Sequence, residues 1–147
     1  MKNTIFISFF FFLLIGGTCN NNEEKHNSIL FKNNSDKDLY VHGKFEYPDT
    51  SIDFSNPVLS GEYYKVISHS TNDPLEITDT YEGRFIQYDT LMVFVFDAET
   101  LENTPWDTIT ANYIILMRFD LSLEDLKRLN WTITYPAMEN MQVKIYP

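Results

Sequence analysis

Residues 91–96 read LMVFVF, six consecutive apolar side chains at strand length. Side chains on a strand alternate between the two faces of its sheet, so this segment offers apolar groups to both faces and needs both to be covered. It is expected to be the central strand of the fold, with a packed layer on either side. A chain of 147 residues with 44% hydrophobic and 22% charged residues can supply one such domain and is too apolar to stay disordered.

Residues 38–47 (DLYVHGKFEY) show the other strand signature, strict alternation. Leu39, Val41, Gly43, Phe45 and Tyr47 fall on one face, and Tyr40, His42, Lys44 and Glu46 on the other. Residues 28–32 (SILFK) precede this strand across Asn33-Asn34-Ser35-Asp36-Lys37, a turn-forming cluster that predicts a hairpin. Further strands are expected over 62–68, 75–78, 84–87, 113–119, 131–135 and 141–146. Thr104 as N-cap with Pro105 at the first helical position predicts a short helix to about residue 112. The Ser122-Leu-Glu-Asp125 capping box predicts a second helix, with Leu123, Leu126 and Leu129 on one side. The pattern as a whole points to a mainly β protein: a single antiparallel, immunoglobulin-like β-sandwich with two short helices. An α+β two-layer fold is the alternative.

The amino terminus is set apart. Lys2, the apolar run 5–15 (IFISFFFFLLI) and the small residues Gly16, Gly17 and Thr18 have the charge, length and exit of a signal peptide over residues 1–18. A membrane-spanning helix needs about 20 apolar residues. Cys19, the one cysteine, can form no internal disulfide. Its position resembles the lipobox of bacterial lipoproteins, with Gly16 and Thr18 where Leu and a smaller residue are usual. The resemblance implies a lipidated Cys19 and a membrane partner reached through that anchor. Residues 19–27 then read as the lipidated cysteine and a flexible acidic linker (NNNEEKHN from 20 to 27), and residues 28–147 as the globular domain. The pair Glu23 and Glu24 resembles the export signals of surface lipoproteins in Bacteroidota. The expected location is the bacterial outer membrane, with periplasmic and surface-facing orientations both open.

Net charge is -10, with 21 Asp and Glu against 11 Lys and Arg, which makes nucleic acid an unsuitable partner. His26 lies in the linker, His42 on the polar face of its strand and His69 in a loop, and none has a partner at metal-ligand spacing; no metal and no cofactor are expected. Asp97, Glu99 and Glu102 gather after the central strand and could serve a two-carboxylate hydrolase, although a solvated connection explains them as well. Asp36 with Asp38, Asp49 with Asp53, and Asp73 with Asp79 could offer oxygen ligands to calcium, or simply form turns. Trp106 and Trp131 read as core anchors. Tyr40, Tyr63 and Tyr64 are the candidate exposed ligand contacts. Asp89-Thr90-Leu91 and Asp107-Thr108-Ile109 resemble the acceptor of O-glycosylation in Bacteroidota.

Residues 89–136, with the segments ENTPWDT (102–108) and DLSLEDLKRLNWTITYP (120–136), resemble a group of small lipoproteins of gut Bacteroidales. Residues 33–36 echo the same group. The resemblance implies an envelope address and carries no assigned activity or catalytic residue. The expected function is that of a lipid-anchored accessory or interaction module without catalysis. The alternative is a glycan or small-ligand binding module at the cell surface.

Overall fold

The computed structural model describes residues 24–141 and 143–147. The signal segment, Cys19 and the first half of the linker lie outside the described residues. Eight strands form in chain order: β1 (Leu30–Asn33), β2 (Leu39–Lys44), β3 (Lys65–Val66), β4 (Thr71–Asn72), β5 (Leu91–Asp97), β6 (Met117–Leu121), β7 (Thr132–Tyr135) and β8 (Lys144–Tyr146). Four short helices join them: α1 (Tyr81–Arg84), α2 (Ala98–Asn103), α3 (Trp106–Ala111) and α4 (Leu123–Arg128). The protein is predominantly β, in two sheets that do not close into a barrel.

β5 sits at the middle of the five-stranded sheet β3-β2-β5-β6-β8, and every pair in that sheet is antiparallel. All seven of its residues are buried. Leu91, Val93 and Val95 enter one core with Leu39, Val41, Phe119 and Leu121. The second sheet, β4-β1-β7, closes that core through Phe31 and Ile133. Met92, Phe94 and Phe96 enter a separate core on the opposite face with Tyr40, and the cover there comes from Ile52, Leu101 and Ile109, on a loop, α2 and α3. The two-sided burial expected of residues 91–96 is thus met by a sheet on one side and by helices and loop on the other.

Several expectations are corrected. The turn at residues 33–37 forms, with Asn33 Nδ2 donating to the Lys37 carbonyl at 2.7 Å, but it carries the chain from one sheet to the other and makes no hairpin. β1 instead runs parallel to β7, with Phe31 opposite Ile133, so the strands are not all antiparallel. Residues 57–64 form 3-10 turns kinked at Gly61, whose φ of 63° is a left-handed conformation natural to glycine; only residues 65–66 of the expected 62–68 strand pair. Residues 75–78 form no strand, and 81–84 are helical. Four helices replace two. Of the two unexpected ones, α1 and α2, the second begins where Asp97 ends β5 and accepts a bond from Thr100 N–H at 2.8 Å, so one residue serves as strand end and helix cap. The Ser122 capping box forms as expected.

The carboxy-terminal end of the linker is docked onto the domain. His26 N–H donates to Glu82 Oε2 at 3.0 Å, its ring Nδ1 meets Glu82 Oε1 at 2.8 Å, and the ring stacks on Trp131 with centroids 3.9 Å apart. The carbonyls of His26 and Asn27 accept from Tyr81 N–H and Ile77 N–H. These bonds correct the flexible-linker expectation for residues 26 and 27.

Candidate functional site

Of the three tyrosines singled out as exposed contacts, Tyr40 is 3% exposed and packs in the second core, its hydroxyl donating to Glu102 at 3.1 Å. It is not a surface contact; the face it occupies is polar in sequence but covered in three dimensions. Tyr63 is 45% exposed and donates its hydroxyl to the Glu76 carbonyl. Tyr64 is half-buried and turns its ring edge toward His42. Trp106 packs on Phe54 and Phe96, and Trp131 on Tyr81, both as partly buried flanks of the cores.

The carboxylates after β5 are engaged in structure. Asp97 caps α2 and meets Lys37 Nζ at 2.6 Å. Burial disfavours its charge, but the bonds from Lys37 and Thr100 outweigh burial and hold its pKa below the usual carboxylate range. A general acid needs the opposite shift. Glu102 accepts from Tyr40 and from Lys65 at 3.1 Å each. The cavity beside Asp97 measures about 50 Å³, room for a water molecule or two.

Glu46, Asp49 and Asp53 converge, with one oxygen from each within 4.8 Å of the others, which brings together the Asp49–Asp53 pair read from sequence and a third carboxylate. The cation among them is Lys44, whose Nζ lies 2.6 Å from Asp53 and 3.4 Å from both Glu46 and Asp49. Burial opposes the Lys44 charge, yet its carboxylate partners hold the pKa above the ordinary lysine value. The cluster is a turn in which three carboxylates gather around one lysine and satisfy its charge.

A cleft lies along the outer edge of β2. Ala98 N–H donates to the Asp38 carbonyl at 3.0 Å, which sets the phase of the β2–β5 ladder: even-numbered residues of β2 bond toward β5, and Leu39, Val41 and Gly43 turn N–H and C=O to the other edge. On that edge β3 pairs with Leu39 and Tyr40, which also engages the Val41 N–H. No strand among the described residues pairs with Gly43 there, and it stands in a cleft of two adjoining lobes. The inner lobe, about 200 Å³, is bounded by Tyr64, Leu75, Glu76, Tyr81 and Arg84. The outer lobe, about 370 Å³, is bounded by Lys44, Phe45, Asp53, Phe54, Arg84 and Tyr88. His42, Gly43, Phe45 and Arg84 line both. A Cβ on Gly43 would come within 3.2 Å of Leu75 and 3.4 Å of Leu91, so glycine leaves the strand edge bare where the wall is tightest.

His42 is the unusual residue here. Its ring stacks on Phe54 at 3.8 Å, and its Nδ1 is buried without a hydrogen-bond partner among the described residues. Burial lowers its pKa from 6.5 to about 4, so the ring is neutral at pH 7. Most buried polar atoms in proteins are paired, and an orphan is often found at a functional site. The sequence placed His42 on a polar face and gave no sign of this; the available signal was Gly43, a glycine inside an alternating strand.

The fold and cleft define a small, β-dominated domain with one aromatic-walled groove at a sheet edge. No protein family, curated protein or solved structure matches the chain.

Proposed function

We propose that the protein is a lipid-anchored accessory module of the bacterial envelope, without catalytic activity, whose contact site is the cleft along β2. The observation that carries this reading is the open strand edge at Gly43, set among half-buried aromatic rings beside the orphaned His42 nitrogen. The combined lobes have the size and mixed lining of ligand sites, which span about 300–1,000 Å³. Asp97 and Glu102 serve as helix cap and ion-pair partners, which supports a binding role over chemistry. The two facing sheets support a sandwich of immunoglobulin-like type, with the parallel β1–β7 pair as a departure from it. The signal-like amino terminus and Cys19 support the anchor and the outer-membrane address, as does the resemblance of residues 89–136 to gut Bacteroidales lipoproteins. No helix among the described residues is long and apolar enough to cross a membrane, so attachment through Cys19 is the economical route.

Two experiments test this reading. Cys19→Ala moves the protein from the membrane fraction to the soluble fraction; retention in the membrane overturns the anchor. A photo-crosslinking residue placed at position 84 or 88 in living cells captures a discrete envelope component that the same residue at exposed position 124 on α4 does not. Equal labelling from all three positions overturns the cleft as the contact site.

A further inference from the structure

The lining of the cleft carries balanced charge. Around the outer lobe stand two cations, Lys44 and Arg84, and two carboxylates, Glu46 and Asp53; around the inner lobe stand Arg84 and Glu76. Lys44 is already neutralised by its carboxylates, and Arg84 is exposed, with no side-chain partner among the described residues. An anion would meet this balance within a chain of net charge -10, and a cation would meet Arg84, so neither is favoured. An extended peptide adding to the edge needs several consecutive backbone pairs. β2 offers only Gly43 beyond the residues engaged with β3 before it ends at Lys44.

What the cleft does offer is ring faces and polar groups of both kinds at close quarters. Phe45, Phe54, Tyr64 and Tyr88 are each partly exposed. Between them lie a backbone N–H and C=O at Gly43, a neutral imidazole at His42 whose Nδ1 has no partner among the described residues, and the guanidinium fork of Arg84. A pyranose ring has the matching chemistry: a C–H face that packs on an aromatic ring, and a rim of hydroxyls that both donate and accept.

Resting on the reading of the cleft as the contact site, we propose that its ligand is an uncharged sugar, a neutral hexopyranose unit of a glycan chain. One ring stacks against the Phe45 and Tyr88 side of the outer lobe, while Arg84 and His42 bond its hydroxyls from the floor shared with the inner lobe.

The test is calorimetric titration of the full chain, in detergent, with neutral gluco-, manno- and galacto-hexasaccharides, and in parallel with oligogalacturonate, a chitosan hexamer and an extended decapeptide. Arg84→Ala, Tyr88→Ala and the milder His42→Gln are compared with Glu124→Ala as control, each checked for native circular dichroism. The expected result is binding of at least one neutral hexasaccharide, weakened tenfold or more by Arg84→Ala and Tyr88→Ala and unchanged by Glu124→Ala. If only the acidic sugar, the amino sugar or the peptide binds and Arg84→Ala abolishes it, the neutral-sugar proposal falls and the cleft reading stands. If a neutral sugar binds equally to all variants, both fall. Absence of neutral-sugar binding at millimolar concentration overturns the ligand class, and the crosslinks from positions 84 and 88 then judge the cleft independently.

Discussion

The two faces of the β5 sheet are covered in different ways. On one face, a second sheet meets it with Phe31, Ile133, Phe119 and Leu121, each fully buried, and the polar groups there are hydrogen-bonded: the Tyr81 hydroxyl donates to the Leu75 carbonyl, and Asn33, on the same face of β1 as Phe31, donates through Nδ2 to the Val66 carbonyl. On the other, helices and a loop cover Met92, Phe94 and Phe96, and charged or polar groups reach inward at its margins: Lys44, His42, and the Arg118–Asp120 pair. On the second face the polar residues stand where the cover of short helices and loop ends. The more apolar face carries stability, and the cleft opens at the margin the two covers share, its inner lobe bounded by Leu75, Tyr81 and Leu91 of the first core and by Tyr64 from the second.

The comparison can be broken most directly at its apolar side. Phe119→Ala is expected to cost about 3–5 kcal/mol, read as a lowered urea midpoint, whereas Phe54→Ala, at a half-buried ring on the other face, should cost clearly less. Equal losses would mean that the loop cover is packed as tightly as the sheet. A comparably large effect is expected from the ion pair. Arg118 Nε lies 2.7 Å from Asp120, its Nη1 donates to Tyr113, and its guanidinium stacks over Tyr146 at 4.3 Å. Arg118→Met strands a buried carboxylate and should cost about 3–5 kcal/mol, while Arg118→Met with Asp120→Leu recovers most of that loss; failure of the double variant to recover would show that the pair itself supplies net stability.

A smaller effect sharpens the comparison by pH. His42 titrates near 6.5 when unfolded and at about 4 when folded. Its folded pKa is depressed, so its contribution is intact above pH 6.5 and is lost as pH falls toward 4, reaching about 3 kcal/mol by linkage. Denaturation profiles of the wild type and His42→Gln, collected from pH 7 to pH 4, should diverge over this window, and parallel profiles would contradict the burial of the imidazole. The smallest expected effect is local to α4: Ser122→Ala removes the cap to Asp125 N–H and should cost about 1 kcal/mol, measurable as a shift in Tm without change in the pH profile.

Much of the sheet was legible because periodicity is local. The alternation of residues 39–44, though not its expected continuation to residue 47, and the unbroken run 91–96 appear in the structure as strand faces and a central strand, and the Ser122 box caps its helix. What was not legible depends on distant partners. Nothing within residues 28–37 reveals that β1 prefers β7, about a hundred residues on, over its neighbour β2. Tyr40 looked exposed because alternation separates two faces but cannot tell that both are covered. The cleft is assembled from β2, α1 and the loops near residues 54 and 76, and no short motif holds them all.

The His26 contacts also set a distance. With the proposed anchor at Cys19, six residues lie between the lipidated cysteine and His26, and the seven Cα-to-Cα steps reach at most about 25 Å. The domain then sits on a short mooring instead of a long free tether. His26 is fastened to α1 through Glu82, two residues before Arg84 in the same helix, so an anchor at Cys19 would bring the mouth of the cleft toward the bilayer. Whatever enters the cleft must be met close to the membrane surface, which favours a component of the envelope itself over one held at a distance.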